Sequence, residues 1–111
     1  MGRILIVDDD EDIRKILAVY ALKAGLRPVL AKDGQEALEL FLSRKYRFEI
    51  VLTDLQMPRM DGLALLAEIG RLAPTIIRVL STSTDTRTDI AINVPKPVPL
   101  KFFQQLQQEL M

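Results

Sequence analysis

Residues 3–10 read Arg-Ile-Leu-Ile-Val-Asp-Asp-Asp, and this stretch decides the fold. The run from Arg3 to Val7 is rich in β-branched residues and is apolar after its first position, which is typical of a strand buried on both faces. Strands of this kind occur in parallel sheets that carry helices on both sides. Because the run stops at three consecutive acids, we expect carboxylates at the end of the first strand.

A helix is predicted after this strand, because apolar residues recur at three- and four-residue intervals from Ile13 to Ala24 and Gly25 fits its C-terminus. The order of strand and helix then repeats. Further strands are predicted at Pro28 to Ala31, Phe48 to Thr53, Thr75 to Leu80 and Ala91 to Val94. Further helices are predicted after Asp33, around Leu63 to Ile69, and from near Pro99 to Leu110. This alternation favours an α/β fold with a doubly wound five-stranded parallel sheet, whose binding crevice lies at the carboxyl ends of the strands.

The connection before the last strand is short. Lys96 lies fifteen positions after Ser81, and the last strand occupies part of that interval. About ten residues remain for a crossover that normally needs a dozen or more. We therefore expect the fourth helix to be shortened or missing.

Composition excludes several classes of function. Among the 111 residues, fifteen Lys and Arg balance fifteen Asp and Glu, so no net positive charge exists to attract nucleic acid or an anionic membrane. Neither His nor Cys is present, which rules out Ser-His-Asp and Cys-His triads, thiolate nucleophiles, the usual zinc sites and disulfides. The length predicts a single domain over residues 1–111. With no signal peptide or membrane-spanning run in the sequence, we expect a cytoplasmic protein.

Several polar side chains are predicted to meet at the carboxyl edge of the sheet. They end or follow the first, third, fourth and fifth strands: Asp8, Asp9, Asp54, Ser81 and Lys96. Carboxylates held close together repel one another unless a cation or shared protons intervene. An oxygen-only site of this kind suits Mg²⁺, which can bridge to an incoming phosphoryl group. Asp54 is then the candidate nucleophile, with Lys96 and Ser81 stabilising the charge of the phosphoryl oxygens.

At this point the chain resembles the receiver domains of two-component response regulators, a family whose familiar small member is the single-domain chemotaxis regulator. The resemblance covers the whole chain and rests on four segments in order. They are Ile-Leu-Ile-Val-Asp-Asp-Asp at 4–10, Val-Leu-Thr-Asp-Leu-Gln-Met-Pro-Arg-Met-Asp-Gly at 51–62, Ser-Thr at 81–82 and Lys-Pro at 96–97. The resemblance implies a flavodoxin-like fold with strand order 2-1-3-4-5. It also implies a phosphoaccepting signalling domain that catalyses only its own phosphorylation and dephosphorylation.

The resemblance further implies a role for each candidate residue. Asp54 resembles the phosphoacceptor, Ser81 the switch hydroxyl that moves onto the phosphoryl group, and Lys96 the lysine that contacts it. The implied Mg²⁺ ligands are Asp9 as the principal carboxylate, Asp8 through a bound water, Asp54, and the backbone carbonyl of Gln56. The Lys96-Pro97 bond is expected to be cis, as in similar proteins.

Three features depart from the family pattern. The shortened crossover removes a helix that forms much of the signalling face in similar proteins. Asn93 stands where an aromatic residue usually moves with the switch residue, so aromatic coupling to Ser81 is expected to be absent. Thr82 stands where Ala or Gly is usual, and its larger side chain is expected to slow phosphorylation or hydrolysis by crowding.

The acids also allow other interpretations. Asp10 is expected to cap the first helix rather than to bind a metal. The spacing Asp8-x-Asp10-x-Asp12 mimics the start of a calcium loop, but Ile13 and Val19 stand where that loop needs Gly and Glu. The same segment resembles the nucleophile motif of haloacid-dehalogenase-type phosphatases, in which Asp8 would be phosphorylated, although Asp12 replaces the usual Thr or Val. A further alternative is a receiver-like interaction module that signals without phosphorylation.

The partners follow from the resemblance. The phosphoryl group is expected to come from a sensor histidine kinase or a phosphotransfer protein. The signal is expected to pass to a downstream protein in trans or to an output domain outside this chain, without direct contact to nucleic acid or membrane. We expect the protein to be a monomer or a weak homodimer.

Overall fold

The computed structural model describes residues 2–111, which form five strands and four helices. The strands are β1 (Arg3–Val7), β2 (Arg27–Ala31), β3 (Ile50–Asp54), β4 (Ile77–Thr82) and β5 (Ile92–Pro95). The helices are α1 (Glu11–Lys23), α2 (Gly34–Leu42), α3 (Gly62–Leu72) and α4 (Leu100–Glu109).

All five strands lie parallel in one sheet, in the order β2-β1-β3-β4-β5. This is the doubly wound, flavodoxin-like order that the resemblance implies. Its switch point lies between β1 and β3, where the connections leave for opposite faces of the sheet. The register places Asp54 directly opposite Ser81, so the ends of β3 and β4 are level at the carboxyl edge.

Two apolar clusters cover the two faces of the sheet. Helices α1 and α4 pack on one face around the fully buried Phe103, and α2 and α3 pack on the other around Leu65, Leu66 and Ile69. Burying an aliphatic or aromatic side chain of this size contributes about 1.5–3 kcal/mol relative to leaving it in water. The predicted burial of β1 on both faces is confirmed, because Ile4 and Ile6 lie in one cluster and Leu5 and Val7 lie in the other.

Some predicted strand limits were wrong. β3 begins at Ile50 rather than Phe48, and β4 begins at Ile77 rather than Thr75, because the residues before β4 form a turn in which the Ile76 N–H donates to the Ala73 carbonyl. β4 also continues through Ser81 to Thr82, since these residues still pair with β5. Apolar runs alone do not mark where pairing with a neighbouring strand starts and stops.

The shortened fourth crossover is confirmed. Within the described chain no helix lies between β4 and β5, and residues 83–91 form only bends and irregular backbone. Asn93 holds this segment in place: its side-chain oxygen accepts from the Thr88 N–H at 3.0 Å, and its amide nitrogen donates to the Thr88 carbonyl at 2.7 Å. The residue that replaces the usual aromatic is thus bound to the segment that replaces the helix.

Across residues 2–111, the helices are all too short or too polar to cross a membrane.

Candidate functional site

Three carboxylates meet at the carboxyl edge of the sheet. Asp8 follows β1, Asp9 is the next residue, and Asp54 ends β3. One oxygen from each lies within 4.8 Å of the others. The side chains differ in exposure: Asp8 is almost fully buried, Asp54 is partly buried, and Asp9 is open to solvent. Sequence reasoning brought these residues to one edge through the parallel topology, and the structure places them together.

The Lys96 ammonium lies among these acids. Its Nζ is 2.9 Å from Asp54 Oδ1 and 3.5 Å from Asp8 Oδ2. Lys96 follows the edge strand β5, and its bond to Pro97 is cis, as expected from the resemblance. One positive charge is therefore shared by two carboxylates, so the cluster retains excess negative charge.

Burial and charge shift the titration of this cluster. Burial raises the pKa of Asp8, and the neighbouring charges of Asp54 and Asp9 add to that shift, against the Asp10 N–H and the Lys96 ammonium, which lower it. Burial alone lowers the pKa of Lys96, but its hydrogen bond to Asp54 and the charges of both carboxylates outweigh burial and raise it. The ammonium thus stays charged at neutral pH, whereas the Asp8 carboxylate is held in an unfavourable environment. A bound cation would relieve the repulsion of the Asp8 carboxylate by the neighbouring charges of Asp54 and Asp9.

The two oxygens of Asp54 have different surroundings. Oδ1 accepts from the Leu55 N–H at 2.8 Å and contacts Lys96 Nζ. Within residues 2–111, both polar contacts of this carboxylate are made by Oδ1. Oδ2 is therefore the oxygen left for an incoming group.

Ser81 adds a buried hydroxyl beside Asp54. Its side chain is 3% exposed, and its Oγ has no hydrogen-bond partner among residues 2–111. A buried hydroxyl without a partner is costly unless another group binds it. The neighbouring Thr82 hydroxyl is instead engaged with the side chain and the backbone N–H of Thr84. Of the two adjacent hydroxyls, the one beside Asp54 is the one that remains available.

The remaining predicted ligand, Gln56, lies in the loop of residues 55–61, two residues after Asp54. This loop leads into α3, whose first turn is capped by Asp61 through a 2.8 Å hydrogen bond from the Ala64 N–H. The role of the Gln56 carbonyl in binding a metal stays a prediction.

The calcium-loop interpretation does not fit the structure. Asp10 caps α1, accepting from the N–H groups of Asp12 and Ile13 at 2.9 and 3.2 Å, as predicted. The cluster of acids within the described chain takes Asp9 and Asp54 in addition to Asp8, and leaves out Asp10 and Asp12.

Sequence reasoning missed one residue at this edge. Arg14, on α1, donates from Nη1 to the Asp8 carbonyl at 2.7 Å and so fixes the backbone of the acidic turn. Its position one helical turn after the cap Asp10 was the available signal, because residues four apart lie on one face of a helix.

Together these features define a class of small α/β signalling domain. Its members have a doubly wound parallel sheet with paired acids after β1, an acid ending β3, a hydroxyl on β4 and a lysine after β5. The chain belongs to the response regulator receiver domain family, whose model matches residues 4–95.

Relatives and solved structures agree with this membership. A response regulator receiver protein of Anaeromyxobacter sp. is 37% identical over 106 residues, covering 88% of this chain and 44% of that protein. Response regulator RR06 of Streptococcus pneumoniae is 38% identical over 85 residues, covering 77% of this chain and 38% of that protein. The response regulator TrrA of Thermotoga maritima, solved in complex with Mg²⁺ and BeF, superposes with a TM-score of 0.88 at 29% identity and covers 100% of both chains. The chain thus spans less than half the length of these two curated relatives.

Proposed function

We propose that this chain is a phosphoacceptor receiver domain, in which Asp54 takes a phosphoryl group from a phosphohistidine of a sensor kinase or phosphotransfer protein. The observation that carries the proposal is the Lys96 ammonium 2.9 Å from Asp54 Oδ1, with Asp8 and Asp9 beside the same carboxylate. An ordinary surface carboxylate has no reason to lie among these three charged groups. Together, Lys96, Asp8 and Asp9 supply the charge and orientation that phosphoryl transfer requires.

In the proposed reaction, Asp54 Oδ2 attacks phosphorus in line with the leaving nitrogen. The O–P bond to Asp54 forms as the N–P bond to the donor histidine breaks, and the nitrogen keeps the electron pair of that bond. Oδ1 stays held by Lys96 and by the Leu55 N–H, which orients the carboxylate for the attack. Lys96 also offsets the negative charge of the phosphoryl oxygens.

Asp8, Asp9 and Asp54 fit a divalent cation, because their oxygens lie within 4.8 Å and carry more negative charge than Lys96 can balance. Mg²⁺ is the best match to an all-oxygen donor set, and the Gln56 carbonyl is its proposed fourth protein ligand. When bound, the cation would supply positive charge to the phosphoryl oxygens. The Mg²⁺ and BeF complex of the relative TrrA supports this choice of ion.

Ser81 is proposed to donate its free hydroxyl to a phosphoryl oxygen on Asp54. The hydroxyl is buried, lies on the strand residue opposite Asp54, and has no partner among the described residues. Forming this bond satisfies a buried polar group only in the phosphorylated state. The phosphorylated domain would therefore favour a different arrangement at the end of β4, which a partner can recognise.

The proposal extends to the domain organisation, location, oligomeric state and output of the protein. We propose a single receiver domain in residues 1–111, cytoplasmic, monomeric or weakly dimeric, which catalyses only its own phosphorylation and dephosphorylation. Its output lies in a downstream protein or in a domain outside this chain. The alternative, a receiver-like module that signals without phosphorylation, keeps the same fold and is separated by the experiment below.

The test is intact-mass analysis after incubation with acetyl phosphate, with and without Mg²⁺. We expect a phosphoryl adduct that requires Mg²⁺, maps to Asp54 by tandem mass spectrometry and is lost in Asp54→Asn. Asp89→Asn, an exposed aspartate in the segment 83–91, is the matched control and should keep the adduct. An adduct that persists in Asp54→Asn, or that maps to Asp8, would overturn the assignment. Absence of any adduct on the parent would favour the module without phosphorylation.

A further inference from the structure

The loop of residues 55–61, between Asp54 and α3, is closed tightly at its base. The Gly62 N–H donates to the Leu55 carbonyl at 2.8 Å. The α-carbon of Gly62 packs directly on the Asp54 carbonyl, so a side chain at this position would collide with the backbone of the acceptor residue. Both ends of the loop are thus fixed next to the carboxylate cluster.

The far side of the loop is held by an ion pair that reaches another element. Arg59 donates from Nε and Nη2 to Asp33 Oδ2, at 3.1 and 2.7 Å. Asp33 is buried, with a side chain 5% exposed, and its other oxygen caps α2 by accepting from the Glu36 N–H at 2.8 Å. One carboxylate therefore fixes the start of α2 and the loop together.

The backbone at Arg59 indicates that its side chain matters. Its φ is +72°, in the left-handed region where residues with a Cβ are disfavoured and glycine is not. Arginine at such a position costs conformational free energy, which the two hydrogen bonds to a buried carboxylate offset. The neighbouring Met60 carbonyl packs on the α-carbon of Gly34 at the start of α2, so the loop meets α2 through backbone as well as through the ion pair.

We propose that the Arg59–Asp33 ion pair is a positioning device that holds the loop of residues 55–61 and so sets the affinity of the carboxylate cluster for Mg²⁺. This inference rests on the proposed function, because Gln56 in this loop is the proposed backbone ligand. Neither charged residue belongs to the cluster itself. The pair acts from outside the cluster by limiting how far the loop can move.

The test compares Arg59→Gly, Arg59→Lys and Asp33→Asn with the parent in a Mg²⁺ titration, followed by the amide NMR shifts of Asp9 and Asp54. Arg59→Gly removes the ion pair and also relieves the left-handed backbone, so global stability in urea should change little. Asp33→Asn breaks the pair from the other side and keeps an oxygen to cap α2. We expect both to bind Mg²⁺ about tenfold more weakly, as is typical when a group that orients a metal ligand is removed. Arg59→Lys, which keeps the charge, should recover part of the affinity.

Two further measurements separate positioning from general destabilisation. Amide hydrogen exchange within residues 56–60 should be faster in Arg59→Gly than in the parent, even without Mg²⁺. Arg71→Ala, which breaks the exposed Arg71–Glu68 pair on α3, should leave both Mg²⁺ affinity and loop exchange unchanged. Unchanged Mg²⁺ affinity in both Arg59→Gly and Asp33→Asn, with a parent that binds Mg²⁺ and is phosphorylated on Asp54, overturns this inference alone. A parent that binds no Mg²⁺ overturns it together with the metal-dependent function.

Discussion

The two connections on either side of β4 are stabilised by different kinds of contact. The connection before it contains α3, which buries Leu65, Leu66 and Ile69 completely against the sheet. The connection after it, residues 83–91, leaves Ile90 37% exposed and forms no helix. The first connection is stabilised by apolar burial, and the second depends on polar contacts.

The polar contacts of residues 83–91 are made largely by threonines. The hydroxyls of Thr82, Thr84 and Thr88 accept from backbone N–H groups two residues later, at 3.1, 3.2 and 3.3 Å. Such short-range bonds satisfy backbone groups that a helix would otherwise pair. Asn93 on β5 then binds Thr88 and closes the segment. A crossover too short for a helix can therefore still place β5 beside β4, so that Lys96 lies at the carboxyl edge of the sheet.

The largest difference between the connections should be in stability. We expect Leu66→Ala to lower the free energy of unfolding by about 3 kcal/mol, because it leaves a cavity in a packed layer. Ile90→Ala should lower it by less than about 0.5 kcal/mol, because that side chain already contacts water. Urea unfolding of both variants measures the contrast. Equal losses would mean that residues 83–91 are packed as tightly as α3.

A second contrast concerns charge, since the loop before α3 contains the Arg59–Asp33 ion pair and residues 83–91 are closed by a neutral amide. Burial alone would raise the pKa of Asp33, but the Glu36 N–H and Arg59 outweigh burial and lower it. A lowered pKa means that ionised Asp33 stabilises the folded state at pH above the ordinary aspartate pKa of about 3.9, and that this stabilisation is lost as pH falls through the folded-state pKa.

Asp33→Asn should therefore lower the free energy of unfolding at pH 7 by about 1–2 kcal/mol, a charged hydrogen-bond contribution reduced because Arg59 is half exposed. The difference from the parent should shrink as pH falls below ~4, because Asp33 of the unfolded chain takes up a proton there, and it should vanish once the folded parent is protonated below its lowered pKa. Urea unfolding over this pH range measures it. Amide exchange at Thr88 should show no matching change with pH beyond the intrinsic rate. A difference between variant and parent that stays constant with pH would contradict the role of the charge.

Asn93→Ala probes the second connection directly. It removes the bonds to the Thr88 N–H and carbonyl, and we expect a loss of about 1 kcal/mol, because part of this backbone is then free to bind water. Asn93→Asp keeps an acceptor for the Thr88 N–H but has no donor for its carbonyl, so it should fall between parent and alanine. Hydrogen exchange at Thr88 gives the local readout. Unchanged protection in Asn93→Ala would show that the threonine contacts hold the segment unaided.

These contrasts show what the sequence could and could not predict. Periodicity predicted the sheet, and the residues at the strand ends predicted that Asp8, Asp9, Asp54 and Lys96 would meet. The strand order followed from the resemblance to receiver domains. The count of residues before Lys96 predicted the missing helix, because chain length limits a crossover whatever its composition.

Side-chain contacts between distant segments could not be predicted in the same way. A helix was predicted to follow Asp33, but the bond of Asp33 to Arg59 depends on where two loops lie in space. Asn93 was noted for the aromatic that it replaces, and its bonds to Thr88 became visible only with the backbone of residues 83–91 in place. Strand limits failed for a related reason, since pairing partners rather than apolar runs decide them.

The smallest expected effect lies where the second connection begins. Thr82 follows Ser81 in the chain and is 9% exposed at the end of β4, where it carries the bulk of a methyl group in addition to the hydroxyl that contacts Thr84. If this bulk slows hydrolysis of a phosphoryl group on Asp54, Thr82→Ala should speed dephosphorylation by about threefold, which corresponds to ~0.7 kcal/mol in the barrier.

Thr82→Ser is the matched control, because it removes the methyl group and keeps the hydroxyl for Thr84. Rates of phosphate loss after removal of excess acetyl phosphate give the comparison. An increase in both variants supports crowding, an increase in alanine alone assigns the effect to the Thr84 contact, and parent rates in both would show that crowding at this position has no influence on hydrolysis.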